Sequence, residues 1–480
     1  MNFTAAVLLK LHKILDFKPS NRNMSVIAHV DHGEEVAIEE SKDRISSLPN
    51  EILGHILSFL PTKYAVGTCI LSTRWKDLWT SLLSLDFDDE LLLLTERPNS
   101  DSTRRIALRF TNFVDRVLSL LNVLYIERFR LKCIQKYEST HVYAWIIIPL
   151  SCKVQELDLH ISIRDSRVLP RHLFTCGTLV SLKLSANFVL NIPASVGLPK
   201  LKTLHLESIE FTNDNKMHLL FASCPVLEEL LIVECVFYSI RIFNISALAL
   251  KRLTMDSGFL VKYKYKIVTD APRLEYLKFI DYVAEDHLVK DLDSLIEAYV
   301  RVSGQPTDVF DLILGISNVK VLHLFGDSME AVQLSRYNLP VFHNVTHLEL
   351  GVDVEEGWQL LPSLLQNTPN LESLFFREGL EPLRDGKFRW SPPESVPRCL
   401  LFSLKRIKIW EFRGRRGELK LVEYFLENAK VLHELQISTS SYMAKELELE
   451  LNKKLLTFPR RSETCKVILQ RKSFGDILYF

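Results

Sequence analysis

The sequence predicts an α/β protein: a small group of three short helices, then a long solenoid of short parallel strands. Two patterns predict it. Between Asp43 and Phe87 apolar residues fall at helical spacing, and between Ile126 and Ile437 an apolar-x-x-apolar-x-apolar pattern recurs thirteen times. Length agrees, because 480 residues exceed what one hydrophobic core usually serves, so at least two structural units are expected.

The first forty residues do not share this patterning. Ala5 to Leu11 is short for a signal-peptide core, is interrupted by Lys10 and has no small-residue cleavage site behind it, so an amphipathic helix is expected there. Asn21 to Gly33, NRNMSVIAHVDHG, resembles the N-terminus of the eukaryotic ribosomal-translocase elongation factor, where these residues open a GTPase phosphate loop. Such a loop needs Lys and then Ser or Thr after its last glycine, for the phosphates and magnesium. Here Glu34 and Glu35 stand in those places and repel phosphate. Residues 1–40 are therefore read as an appended segment, disordered or non-native, without GTP binding. His29 and His32 lack the further ligands a metal site needs, and no metal or other cofactor is expected anywhere in the chain.

In residues 41–87, Pro49 is tolerated where a helix begins, and Ile52, Leu53, Ile56, Leu57 and Leu60 recur at helical spacing until Pro61 stops them. A first helix of about three turns is expected. Tyr64, Ala65, Val66, Cys69 and Ile70 predict a second, and Ser72 is a candidate N-cap for a third presenting Trp75, Leu78, Trp79 and Leu82. Three short helices make too small a core to stand alone, so whatever the segment touches completes its apolar faces. A helical subdomain packed only on its own chain satisfies the same periodicity.

Residue identity adds what periodicity leaves open. The order Leu48-Pro49, Ile52-Leu53, Ile56-Leu57-Ser58-Phe59-Leu60-Pro61, Cys69-Ile70-Leu71-Ser72, Arg74-Trp75 and Leu78-Trp79 resembles an F-box of the kind common in plants. The resemblance implies docking on the Skp1-type adaptor of a cullin-RING ubiquitin ligase. It carries the adaptor contacts onto Leu48, Pro49, Ile52, Leu53, Ile56 and Leu57, and onto Leu60, Pro61, Leu71, Trp75 and Trp79.

Lys plus Arg equals Asp plus Glu at 59 each, so the basic excess of a general nucleic-acid or membrane-surface binder is missing and a protein target is expected. No apolar run approaches the roughly 18 residues that span a bilayer. The eight cysteines, at 69, 133, 152, 176, 224, 235, 399 and 465, include no C-x-x-C pair. They suit reduced core thiols in the cytoplasm, the nucleus or both.

Glu90 to Asp101 is charged and turn-rich, and Phe110, Phe113, Val114, Val117, Leu118 and Leu121 predict an amphipathic helix. The recurring triplets then begin at residues 126, 154, 179, 201, 227, 250, 274, 295, 319, 345, 371, 404 and 432, spaced 21 to 33 apart. This is the leucine-rich-repeat period. Each triplet carries a short strand with apolar residues inward, and stacking buries a core that no single unit holds. Pro199, Pro225, Pro272, Pro340 and Pro369 each stand one to five residues before a triplet and punctuate the chain without removing a ladder N–H. The asparagine that often follows such triplets is mostly missing, Asn187 excepted, so the repeats are irregular.

Repeats are expected over 88–384 and continue through 385–470, leaving 471–480 as a tail. In that later region Trp390-Ser391-Pro392-Pro393, Val396-Pro397-Arg398-Cys399, Leu404-Lys405 and a helix over Glu418 to Ala429 resemble the FBD region that follows the repeats in many plant F-box proteins. Its basic cluster, Arg398, Lys405, Arg406, Lys408, Arg413, Arg415 and Arg416, is interleaved with Trp410 and Phe412. A solvated face is preferred there to a nucleic-acid site, because Lys405 and Lys408 alternate outward from a strand.

No nucleophile-base pair or carboxylate pair stands out, so the chain is read as non-catalytic, and the resemblance implies a substrate-recognition subunit of a Skp1-cullin-F-box ubiquitin ligase. The alternative is a leucine-rich-repeat interaction scaffold outside any ligase. Target contacts are expected on strand residues between the inward leucines: Glu156, Asp158, His160, His205, Glu229, His323, His347 and Glu349. Their acidic character predicts a basic or hydrogen-bond-rich target segment.

Overall fold

The computed structural model describes residues 45, 48–93, 100–162, 169–238, 240–258, 265–281, 286–290, 292–302, 306–334, 338–351, 359–377, 380, 390–439 and 443–471. The appended segment at 1–40 and positions 472–480 of the tail lie outside them. Contacts divide the chain into two compact units, Met1–Leu173 and Phe174–Phe480.

In the first unit a helix spans Asn50–Leu57, with Pro49 at its N-cap, and a second spans Thr62–Gly67 behind Pro61. Both helices start where a proline fixes φ and supplies no N–H, as expected of Pro49, while Pro61, expected only to stop the first helix, also opens the second. The first has eight residues, about two turns where three were expected, because it ends in a turn at Ser58 before the proline is reached. The expected third helix is not formed: Thr73 to Asp77 is turn and only Leu78–Ser81 closes into a 3-10 turn. Trp75, Trp79 and Leu82 are nonetheless buried, so the apolar spacing that suggested a helix is met by a compact turn instead.

The helical module is joined directly to a sheet. Strand β1, Ser84–Asp88, pairs in parallel with β2, Arg128–Cys133, which pairs with β3, Glu156–Ile161. The Asp86 amide donates to Thr62 Oγ1 at 2.7 Å. Buried Asp89 accepts from the amides of Ile134 and Gln135 and from the Tyr137 hydroxyl. The amphipathic helix Ser100–Leu120 buries Phe110, Val114 and Val117, as the spacing requires.

In the second unit the main sheet holds β4 (Ser181–Ala186), β5 (Thr203–Glu207), β7 (Glu229–Val233), β10 (Arg252–Asp256), β12 (Tyr276–Asp281) and β14 (Glu297–Val302). It continues through β15 (Val321–Phe325), β16 (His347–Gly351), β17 (Ser373–Phe376), β18 (Arg406–Phe412), β19 (Glu434–Thr439) and β20 (Lys466–Arg471). All pairings are parallel and align the inward apolar positions, for example Leu204 with Leu230 and Leu322 with Leu348. Each of the thirteen predicted triplets carries a strand of the two units. β1 and β20 are strands beyond them.

A second layer closes the other side of the solenoid. The helices Asp214–Ala222, Pro306–Gly315, Leu361–Asn367, Arg398–Phe402, Arg416–Asn428 and Lys445–Thr457 form much of it. Between the first two stand three parallel strands, β9 (Ile242–Ser246), β11 (Lys266–Asp270) and β13 (Asp286–Lys290). They fall in the successive spans of 23, 24 and 21 residues that start at 227, 250 and 274, where β-branched residues replace helix formers. A short two-strand pairing, β6 (Glu210–Phe211) with β8 (Val236–Phe237), flanks them.

Polar groups caught inside are satisfied locally. The Tyr265 hydroxyl donates to Asp281 at 2.7 Å in the interior. All eight cysteines are free thiols, five of them buried, and burial pushes Cys224, Cys235 and Cys399 up to about 12. Glu418, fully buried, accepts from the Arg415 amide at 2.9 Å and the Arg413 amide at 3.1 Å, closing the N-terminus of helix Arg416–Asn428.

Burial pushes the Glu418 carboxyl up to about 7, against the two amides, which favour its ionised form. The folded state therefore binds a proton between about pH 4.5 and 7 that the unfolded state has released, so stability falls as pH rises through that window. The full loss amounts to about 3 kcal/mol. Glu418→Gln keeps an acceptor for the amides and removes the titration. Its melting temperature, followed across that range, should decline less with pH than that of the parent chain.

Candidate partner-binding surfaces

The helical module separates a core from a surface. Leu53, Leu57, Leu60, Trp75 and Trp79 are buried within it and hold it together, with Trp79 Nε1 donating to the Lys76 carbonyl at 3.1 Å. Leu48, Ile56 and Pro61 are half-buried, and Pro49, Ile52 and Leu71 are exposed. Of the eleven residues that resemblance assigned to the adaptor, five thus support the surface from beneath.

Two large side chains outside that set are more open: Phe59 is 68% exposed and Ile70 is 64% exposed. Ile52, Ile56 and Phe59 follow one another along one side of the first helix and its final turn, beside the buried row of Leu53, Leu57 and Leu60. Ile70 and Leu71 form a second exposed apolar pair where the second helix ends. Phe59 also lines a cleft of about 680 Å³ with Arg74, Asp77 and Arg128, which gives the apolar strip a charged margin.

Arg74 fixes the relation of these parts. Its Nε and Nη2 donate to Asn50 Oδ1 at 3.0 and 2.9 Å, and Nη2 also donates to the Leu48 carbonyl. One guanidinium therefore ties the turn after the second helix to the start of the first. Its planar fork of donors reaches both acceptors at once. The sequence shows Arg74 within the motif, but not the carbonyl 26 residues away that it holds.

The open face of the sheet behaves differently from its expectation. The acidic and histidine side chains stand between the inward leucines as predicted, yet many meet a counter-charge on a neighbouring strand. In the first unit Arg130 lies 2.8 Å from Asp86, 3.5 Å from Asp88 and 3.7 Å from Asp158, while Arg128 is 3.9 Å from Glu156. His160 is half-buried at the next outward position of β3.

In the second unit His205 Nε2 is 3.1 Å from Glu229. His323 sits 2.9 Å from Glu349 and 3.3 Å from Glu297, and Arg377 pairs with Glu349 from the far side. His347 is exposed and contacts Thr346. The carboxylates that predicted a basic target are thus largely matched inside the chain, which removes the charge argument for one.

The same face carries aromatic rings under cations. Arg252 lies 4.2 Å from the Tyr276 ring and Lys278 4.9 Å from Tyr299, which stacks on His323 at 5.8 Å. Farther along, Phe375 and Trp410 meet edge to face at 4.8 Å. Outward alternation in the sequence places each of these residues on the open face, but the acidic positions drew the expectation instead. Among the described residues no group of His, Cys, Asp and Glu is arranged to hold a metal, and no helix is long and apolar enough to cross a membrane.

Comparison with known proteins assigns three segments. Residues 45–87 match the F-box domain, 142–376 match the leucine-rich repeats of FBD-associated F-box protein At5g56370, and 392–437 match the FBD domain. The chain is 33% identical to F-box/LRR-repeat protein At4g14096 of Arabidopsis thaliana, over 89% of this chain and 95% of that protein. It is 35% identical to F-box/LRR-repeat protein At4g14103, over 70% of this chain and 92% of that one, and 33% identical to F-box/LRR-repeat protein At2g42730, over 89% and 98%. Both are also from Arabidopsis thaliana.

Burial pushes the Glu349 carboxyl up, but hydrogen bonds from His323 and Arg377 outweigh it and hold the group below the ordinary carboxylate range. Its contribution to stability is therefore present at neutral pH and is lost as pH falls through that lowered value. Glu349→Ala should cost roughly 2 to 3 kcal/mol in urea unfolding at neutral pH, since it leaves two part-buried donors without their carboxylate. The deficit should shrink in acid.

Proposed function

The chain belongs to the F-box/LRR-repeat family, and from that premise we propose that it is the substrate-recognition subunit of a Skp1-cullin-F-box ubiquitin ligase. Its F-box and repeats support an adaptor role. In this reading the F-box docks on a Skp1-type adaptor, through it on a cullin-RING ligase, and the repeats capture a protein target. The work is done in the cytoplasm or nucleus. The chain contributes position rather than chemistry: a target lysine held near the loaded conjugating enzyme has a raised effective concentration.

The observation that carries the reading is the exposed apolar set of the F-box. A module with its own buried core of Leu53, Leu57, Trp75 and Trp79 still leaves Ile52, Phe59, Ile70 and Leu71 in water. Apolar side chains of this size gain about 1.5–3 kcal/mol each when fully buried, and a partner surface supplies that burial. The Arg74 clamp holds the two apolar strips in a fixed relation, so little ordering remains to oppose docking. Adaptor contacts are proposed for Leu48, Pro49, Ile52, Ile56, Phe59, Ile70 and Leu71, with the buried residues as their support.

Replacing Ile70 and Leu71 together by aspartate, or Leu48 and Pro49 together by alanine, should reduce recovery of a co-expressed Skp1-type adaptor by about tenfold or more. The aspartate pair replaces solvent-facing residues, so the thermal melt should stay unchanged. Leu53→Ala, in contrast, should lower the melting temperature, because it costs about 2–5 kcal/mol of folding stability. Undiminished recovery by both double variants would leave an interaction scaffold outside any ligase as the better description.

A further inference from the structure

We propose that the junction of the repeats and the FBD region is a cation–aromatic site that takes an extended, carboxylate-rich segment of the target protein. It is built from Phe375 and Arg377 at the end of β17 and from Arg406, Lys408 and Trp410 on β18. The inference rests on the target-capture reading above and adds the chemistry of what is captured.

Geometry brings these residues together. β17 and β18 pair in parallel with Ser373 opposite Arg406 and Phe375 opposite Lys408. Leu374, Phe376, Ile407 and Ile409 turn into the core, so alternation puts Phe375, Arg406, Lys408 and Trp410 on the open face. Lys408 Nζ stands 5.3 Å from the Phe375 ring and 5.0 Å from the Trp410 ring. The Arg377 guanidinium stands 5.7 and 5.8 Å from the same two rings. Two rings in edge-to-face contact thus carry two cations, and all four side chains remain partly open to solvent.

Charge decides the occupant. In the second unit His205 is matched by Glu229, while Arg252 and Lys278 rest on rings as Lys408 does. Lys408, among the described residues, has no carboxylate within salt-bridge distance, and Arg406 beside it is exposed. The outward positions of β17 and β18 within the paired register hold Arg406 and Lys408 and no Asp or Glu. Across the sheet Glu434 on β19 stands opposite Arg406, Gln436 stands opposite Lys408, and Glu349 on β16 is engaged by His323 and Arg377. A cation resting on a ring has given up part of its hydration, so an incoming carboxylate displaces less water to reach it. The ring faces meanwhile take the methylene stems of acidic side chains.

The same chemistry continues at Lys278, Tyr299 and His323, so the stripe runs from β12 to β18. Those six strands span about 24 Å at the usual interstrand spacing, the length of roughly seven extended residues. A nucleic acid fits this stripe less well. Glu297 and Glu349 lie along it, and the net charge of the whole chain is zero, whereas a phosphate backbone asks for unbroken positive charge. The site stands where the repeat match ends at residue 376 and the FBD match begins at 392, so the FBD segment supplies Lys408 and Trp410 to it.

The test is a selection from a random-peptide library on the full chain, with adaptor recovery measured on the same preparations. Peptides rich in Asp and Glu should be enriched, and their binding should weaken as salt rises. Lys408→Gln and Trp410→Ala should each weaken a selected peptide roughly five- to tenfold. Lys453→Gln, on the exposed side of helix Lys445–Thr457, should leave it unchanged, and adaptor recovery should be intact in all three. Lys408 is half-buried on the open face and outside the core, so its variant should fold even if the tryptophan variant does not. Enrichment of basic peptides, tighter binding of a single-stranded oligonucleotide than of any selected peptide, or parental binding by the Lys408 variant would overturn the proposal. Loss of adaptor recovery by the parent chain would count against the ligase reading instead.

Discussion

The structure depends on one repeated hydrogen bond. At the start of nearly every strand a backbone amide donates to the carbonyl at the matching place one repeat earlier: Glu228 to Lys202, Lys251 to Glu228, Glu275 to Lys251, Ile296 to Glu275 and Lys320 to Ile296. The series goes on through Thr346, Glu372, Lys405, His433 and Lys466. It fixes the stacking register before any side chain is considered. With register fixed, the alternation of a strand commits every second residue to the core and every other one to the open face, and a slip of one residue would exchange them. Core and open face are therefore two consequences of one constraint.

This explains what could be read in the sequence and what could not. The thirteen triplets were legible because each puts two apolar residues at period two behind a third that turns the chain inward, and burial enforces that pattern in every repeat. β1 has the same pattern, Leu82-Leu85-Phe87, but it directly follows the helical module and was absorbed into it. β20 ends the sheet, and its inward Val467 and Leu469 stay half-exposed, so no strong apolar signal marks it. The second-layer strands β9, β11 and β13 were missed because the triplet template describes only one side of each turn. The third helix of the F-box failed for the opposite reason: apolar spacing reports that residues are buried, and a turn with 3-10 geometry buries Trp75 and Trp79 as well as a helix does.

The surfaces were less legible than the core. Motif resemblance located the F-box but did not distinguish Leu53 and Leu57, which build it, from Phe59 and Ile70, which it displays. On the sheet, counting carboxylates suggested an acidic face, because sequence lists charges without their partners. Glu349 is 26 residues from His323 and 28 from Arg377, and only stacking makes them neighbours. Rings and cations 24 to 35 residues apart, such as Arg252 with Tyr276 and Phe375 with Trp410, are brought together by the same stacking.

In the proposed reading two surfaces divide the work, with apolar docking at the F-box and polar-aromatic recognition on the sheet. Hydrogen exchange of the full chain with and without a Skp1-type adaptor tests that division most directly. Binding should slow exchange of amides in 50–59 and 62–77, where the exposed apolar residues lie, and leave peptides of β12 to β18 at their free rates. Unchanged exchange across the F-box, or protection confined to the sheet, would contradict it.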